Sequence, residues 1–180
     1  MSEQTQPLGF AAEDDVPIPY MQRVRDYYSG LGYGPPYRWA HYAEVPFTPL
    51  GKPLAQCRVA LVTTAAPYRP GKGDQGPGAA YNGAAKFQRV YSGDSALDHD
   101  VRISHVAYDR VHTSAEDPNT WFPLKALRHA AERGRIGAPT PRFHGIPTTY
   151  SQRATLGQDS PELLARCRAD GADAAILVAN

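Results

Sequence analysis

Acid–base chemistry needs a titratable ring with a carboxylate to orient it, and one stretch of the chain offers both. Asp98-His99-Asp100 is followed by His105, Asp109 and His112. His105 ends the apolar–polar alternation Asp100-Val-Arg-Ile-Ser-His105, a strand pattern that would deliver it to a sheet edge. A hydrogen bond to Asp109 would orient the His105 ring, and such a pair would do acid–base work with a substrate near it. The plainer alternative is that Asp100, Asp109 and Asp117 cap turns while the histidines face water. A metal needs three or four converging ligands. The spacing of His99, His105 and His112 matches no metal motif, so no metal is expected and a metal hydrolase is the weakest alternative.

Gly71-Lys-Gly73-Asp-Gln-Gly76 fits the dinucleotide pattern G-x-G-x-x-G and follows a strand-like run. The spacing is poor for phosphate. Ala65 to Pro70 intervene after the strand, and Pro77-Gly78 delay any helix whose N-terminus would meet an anion. Read as a P-loop, the stretch has Gly73 where a magnesium-binding Ser or Thr belongs, and Pro67 and Pro70 lack N–H groups. A surface loop or lid is the preferred reading, with a nucleotide-binding oxidoreductase using Gly71–Gly76 as an alternative. Cys57 precedes a strand beside Arg58, and Cys167 lies on the apolar stripe of a helix. There is no C-x-x-C, and structural roles are expected for both.

The elements that would position these groups alternate. Met21 to Ser29 reads as a short helix ended by Gly30-Leu-Gly32. Val59-Ala-Leu-Val-Thr-Thr64 reads as a parallel-type strand, Lys86–Tyr91 as a short strand and Asp100–His105 as a further one. Pro123–Arg133 is the clearest helix, with Leu124, Leu127 and Ala131 on one face and Gly134 as its stop. Pro141–Tyr150 is a weaker strand candidate. Ser160–Asp170 is a second helix, with Ser160 as N-cap, Leu163, Leu164 and Cys167 as its stripe, and Gly171 at its end. Asp173-Ala-Ala-Ile-Leu-Val-Ala-Asn180 reads as a buried strand arriving at its carboxyl end, the edge where open α/β sheets bind ligands. The expected fold is therefore α/β: a mainly parallel sheet with flanking helices in three layers. Residues 1–54 form an irregular arm, and 55–180 form the α/β domain.

Composition bounds the function classes. With 180 residues the best expectation is one domain with a sizeable core. Hydrophobic content of 42% and charged content of 21% are those of an ordinary globular chain. A net charge of +1 gives no basic surplus for nucleic acid. No apolar run approaches a membrane span, and the N-terminus has no signal-peptide pattern, so a cytoplasmic protein is expected. The 16 Gly and 17 Pro cluster at Tyr28–Pro53 and Pro67–Gly83. Tyr28, Tyr33, Tyr37 and Trp39 in the first cluster argue for an irregular but packed arm rather than disorder.

Several blocks resemble one family in order along the chain. They are Val59-Ala-Leu-Val-Thr-Thr64, Phe87-Gln-Arg-Val-Tyr-Ser-Gly-Asp94, Asp100-Val-Arg-Ile-Ser-His-Val-Ala-Tyr-Asp109, Asp117-Pro-Asn119, Phe122-Pro-Leu124, Gly134-Arg-Ile-Gly137 and Leu164 through Val178. Ile103-Ser-His105 with Tyr108-Asp109 and Asp117-Pro118 is the most specific. The chain is similar here to the selenoprotein B type subunit of the glycine, betaine, sarcosine and D-proline reductases, over about residues 55–180. It departs at Ala65-Ala66-Pro67, where relatives carry glycines and a histidine, so the resemblance does not specify the substrate.

That resemblance implies reductive cleavage of a carbon–nitrogen bond alpha to a carboxylate. In the family, the strand matching Asp173–Ala179 runs into a selenocysteine or cysteine, two residues, and then a cysteine. The natural product is accordingly expected to continue past Asn180. Selenocysteine is encoded by a codon that otherwise means stop, and engineered truncation or processing would leave the same end. The 180-residue chain alone is expected to be inactive. No cofactor is expected in this chain; a partner subunit would carry a pyruvoyl group, and a dithiol would restore the reduced nucleophile. By strand topology, Thr63, Thr64, His105, Tyr108 and Asn180 would surround the nucleophile. Thr63 or Thr64 would bind the substrate carboxylate, and His105 with Asp109 would supply a proton to the leaving amine. The substrate would be a small amine or amino acid, with no nucleic acid or membrane partner, and an oligomer is expected. The other class in play is a non-catalytic binding or assembly subunit, for which the aromatic arm from Tyr27 to Phe47 suits a contact.

Overall fold

The computed structural model describes residues 17, 19–35, 42–45, 47–76, 79–80, 82–103, 116–149 and 151–179. His105, Tyr108, Asp109, His112, Trp39, Tyr37 and Asn180 lie outside the described residues. The chain divides into two compact units, Met1–Val45 and Pro46–Asn180.

In the first unit, helix α1 spans Tyr20–Gly30, and Gly32 beyond it takes φ 75°. The expected packing of the arm is not found among its described residues. Helix α1 buries no side chain, and Tyr20, Tyr27, Tyr28 and Tyr33 are exposed. Their rings meet each other instead, edge to face, at 5.5 Å for Tyr27–Tyr28 and 5.6 Å for Tyr28–Tyr33. The helix has too few aliphatic residues at helical spacing to make a continuous stripe, so the aromatics pair locally.

The second unit is built on strand β1, Arg58–Thr63, in which every residue from Val59 onward is buried. Strand β7, Ala174–Val178, lies parallel to it from Val59↔Ala174 to Thr63↔Val178. The other side of β1 is shared by β5 (Ala138–Pro139) and β6 (Arg142–Gly145), both parallel to it. The register slips by two residues between Val59↔Pro139 and Val62↔His144, so Thr140-Pro141 forms a bulge. Pro141 has no ladder N–H to lose there, and Thr140 Oγ1 donates to the Arg142 carbonyl at 2.7 Å to brace the bend. Strand β3, Tyr91–Asp94, runs antiparallel along β6. The sheet is mostly parallel, curled into a half-barrel and flanked by helices, an α/β fold. Strands β2 (Ala66–Pro67) and β4 (Val101–Arg102) make a separate antiparallel pair.

The two faces of the sheet differ chemically. On one, Val59, Leu61 and Phe143 join Trp121, Phe122 and the buried Leu124 and Leu127 of helix α2, Leu124–Glu132. The other carries Ser92, Arg142 and His144, which meet Arg166 and Asp170 at the end of helix α4, Ser160–Ala169. Helices thus cover both faces, giving the three layers expected of the alternating pattern.

Several elements differ from expectation. The strand expected at Lys86–Tyr91 begins at Tyr91, and only Val101–Arg102 of the Asp100–His105 alternation pairs among the described residues. Strand β5 has no alternation of its own to announce it. Ser160 is not an N-cap: its backbone is helical, and the helix begins earlier, at α3 (Gln152–Ala154), passing through a π turn at Thr155–Asp159. The cap is Ser151, whose hydroxyl accepts the Ala154 N–H at 3.2 Å. On α4, Cys167 is buried but Leu164 is exposed. Strand β7 was expected to be buried, yet Ile176 is 44% and Leu177 71% exposed. Among the described residues it pairs with β1 alone, so it is an edge strand despite its parallel-type composition.

Two glycines let β3 and β6 close. A Cβ on Gly145 would lie 1.8 Å from the Tyr91 ring, and one on Gly93 would lie 2.4 Å from the Phe143 ring. Each aromatic lies across the bare backbone of the opposing strand. Gly145→Ala is expected to cost about 1–3 kcal/mol in urea unfolding through overpacking. Tyr91→Leu in the same background should restore part of that loss.

Candidate functional site

Parallel pairing brings the carboxyl ends of β1, β6 and β7 to one edge. There the Thr64 N–H donates to the Val178 carbonyl at 3.3 Å, and the Ile146 N–H to the Thr63 carbonyl at 2.9 Å. Thr63 is fully buried, and its hydroxyl is taken up by the fold: it donates to Trp121 O at 2.7 Å and accepts the Ala65 N–H at 3.1 Å. Tyr91 closes the same corner from beneath, donating to Ala65 O at 2.7 Å, and burial pushes its phenol well above the usual range. Thr63 therefore fixes the exit of β1, while half-buried Thr64 stands at the edge itself. The structure brings Thr63, Thr64 and the end of β7 together as topology required. His105, Tyr108, Asp109 and Asn180 lie outside the described residues.

The glycine loop is held from within. Buried Gln75 accepts the Arg69 N–H at 3.0 Å and donates to Arg69 O at 2.7 Å, and Asn82 donates to Lys72 O at 2.6 Å. Gly71 and Gly73 take φ 72° and 80°, which a side chain would resist. After it, the described residues form only a short 3₁₀ turn, Gly83–Ala85. Among the described residues the loop supplies no helix N-terminus for a pyrophosphate. Cys57 and Cys167 are both free and buried, and burial raises the Cys167 thiol. The Cys57 sulfur faces the Pro53 carbonyl at 3.4 Å. Among the described residues, no three His, Cys, Asp or Glu side chains gather as a metal site would require. No described helix is long and apolar enough to cross a membrane.

A second polar constellation lies on the opposite face of β3 and β6. Ser92 and His144 stand directly across from each other in the antiparallel ladder. Ser92 Oγ is 2.8 Å from His144 Nδ1, and Arg166 Nη1 donates to Ser92 Oγ at 2.7 Å. The serine oxygen accepts from Arg166 and still has an O–H to give to Nδ1; with that donation the neutral ring carries its proton on Nε2. That nitrogen is 3.3 Å from Asp170 Oδ2, close enough for attraction but off the line a hydrogen bond needs. Asp170 is itself held by Arg142, through Nε at 3.0 Å and Nη2 at 2.7 Å. Glu162, Arg166 and Asp170 recur at helical spacing along α4, and Glu162 pairs with Arg166. His144 is fully buried, and burial is the largest cause holding its basicity below the usual histidine value. Arg142 and Arg166 push the same way, and Asp170 opposes them.

None of these residues was a sequence candidate. The alternation Arg142-Phe-His-Gly145 placed His144 on the polar face of a strand, but nothing local pairs it with Ser92, 52 residues away.

Comparison with protein-family models, curated proteins and solved structures finds no match for this chain.

The buried ring has a consequence for stability. The folded state refuses the proton that an unfolded His144 accepts near about pH 6.5. The unfolded chain therefore binds more protons below that pH, and folding stability is lost as pH falls from it towards the depressed value. Urea midpoints measured between about pH 5 and 8 should show that fall, and His144→Gln should flatten it.

Proposed function

We propose that the chain is a subunit of a selenocysteine- or cysteine-dependent reductase that cleaves a carbon–nitrogen bond alpha to a carboxylate, on a substrate of the glycine, betaine, sarcosine or D-proline type. The observation that carries this is the full-length parallel pairing of β7 on β1, with Val178 O accepting the Thr64 N–H. In the family the chain resembles, the nucleophile directly follows the strand matching β7. Beside Thr64 it would stand at the edge where parallel sheets bind ligands. That nucleophile would supply attack on the alpha carbon, and a pyruvoyl group on a partner subunit would bind the substrate amine, except for betaine, which has no N–H.

The chain's own residues supply the rest. Of the two threonines, Thr63 holds the strand exit through Trp121 and Ala65, which leaves the substrate carboxylate to Thr64 in this reading. By the resemblance, His105 with Asp109 would give the leaving amine its proton; these two residues, with Tyr108 and Asn180, lie outside the described residues. The open side of β7, with Ile176 and Leu177 exposed, suits a subunit contact. It is also what favours the second reading, an assembly subunit without its own chemistry.

Mass spectrometry of the natural gene product, together with amine release in the presence of partner subunit and dithiol, separates the two. Selenocysteine or cysteine following Asn180, with ammonia or amine released from glycine, sarcosine or betaine, or D-proline opened to a linear amino acid, is the expected result. Thr64→Val should then lower kcat/KM by about 10–100-fold, the loss of one hydrogen bond to a charged group. A natural product ending at Asn180, or full activity in Thr64→Val, would overturn the assignment.

A further inference from the structure

We propose that Ser92 is the nucleophile of a second site, which accepts the acyl group of small esters. It is independent of the carboxyl edge. Three observations converge on it. First, Ser92 Oγ lies 2.8 Å from His144 Nδ1, and the ring's other nitrogen faces Asp170 at 3.3 Å. Serine, ring and carboxylate are the residue types of acyl-transfer enzymes, here with Nδ1 rather than Nε2 towards the serine and with Asp170 acting on the ring by charge rather than through a hydrogen bond. Second, Arg166, whose guanidinium also pairs with Glu162, brings Nη1 to 2.7 Å from Ser92 Oγ, a positive group that favours the oxyanion form of the serine.

Third, Ser92 is half-buried and forms part of the wall of a cleft of about 850 Å³. That size suits a small ligand. The cleft opens at the bulge between β5 and β6, where Ala96, Pro139, Pro141 and Arg142 line it from the sheet side, and Arg128, Ala131 and Glu132 of α2 line it from the opposite side. The small apolar side chains fit a short acyl chain. Burial of His144 keeps the ring unprotonated and ready to act as a base, and Asp170 offsets the charge it gains.

The step balances without oxidant or reductant. As Ser92 Oγ bonds to the carbonyl carbon, its proton passes to His144 Nδ1. The carbonyl electron pair moves onto oxygen and returns as the carbon–oxygen bond to the alcohol breaks, and the alcohol leaves with that proton. Water then attacks the acyl-serine by the reverse sequence, giving a carboxylic acid and free Ser92.

The test uses the whole 180-residue chain with diisopropyl fluorophosphate, and separately with p-nitrophenyl acetate. The expected results are one phosphoryl adduct mapped by peptide mass spectrometry to Ser92, and a burst of about one p-nitrophenol per chain. His144→Gln should slow the labelling by about 100-fold or more. Ser92→Ala should abolish both signals. Labelling of the unmodified chain requires no variant to fold. Absence of an adduct at Ser92, an adduct elsewhere, or a labelling rate no faster than that of a serine in an unfolded peptide would show that the cluster only ties α4 to the sheet, and would overturn the proposal.

Discussion

Everything in the second unit follows from β1 having to satisfy its backbone on both sides while both its faces are buried. Its peptide groups alternate: Arg58 O accepts from Asp173 N on the β7 side, and Val59 O accepts from Thr140 N on the other, each at 2.9 Å. A run such as Val59-Ala-Leu-Val-Thr63 cannot face water, so its neighbours are obligatory. Once β7 takes one side along the whole strand, β5 and β6 must divide the other, and the bulge at Thr140-Pro141 is the means by which they do so. The meeting of Thr64 with the end of β7 is a consequence of that pairing rather than a separate design.

The outer hairpin-like pair, β3 and β6, assigns different work to its two faces. On the α2 side, bare glycine backbone lies opposite Tyr91 and Phe143, so large rings fill space that a Cβ would have taken. On the α4 side, Ser92, His144 and Arg142 meet Arg166 and Asp170, and burial there is tolerated because each charged group has an opposite charge or a hydrogen bond. The apolar face excludes water from the sheet; the polar face sets where α4 docks.

The chain therefore presents two chemically distinct places at different parts of one sheet. The carboxyl edge is shaped by strand topology, with Thr64 beside β7. The Ser92 cluster is shaped by cross-strand register and by one helix face, and it adjoins the cleft at the bulge. The residues proposed for the first include several outside the described ones, whereas the side chains of the second are all described.

Strand β1, helix α2 with Leu124 and Leu127 inward, and the ends of α2 and α4 at Gly134 and Gly171 were all legible in the sequence, because each rests on local periodicity or on a glycine at positive φ. The start of the last helix was misplaced because Ser160-Pro161-Glu162 carries every local sign of a cap, while the helix already running from Gln152 overrides it. The burial of β7 was misjudged because composition tells which residues can be covered, not whether a neighbour covers them. His144, Ser92 and Asp170 went unseen because no local pattern links them, and the β3–β6 register together with the docking of α4 alone brings them within reach. Periodicity is a property of neighbouring residues and survives in the sequence. Which distant faces meet is decided by packing the whole chain, and both candidate sites depend on that meeting.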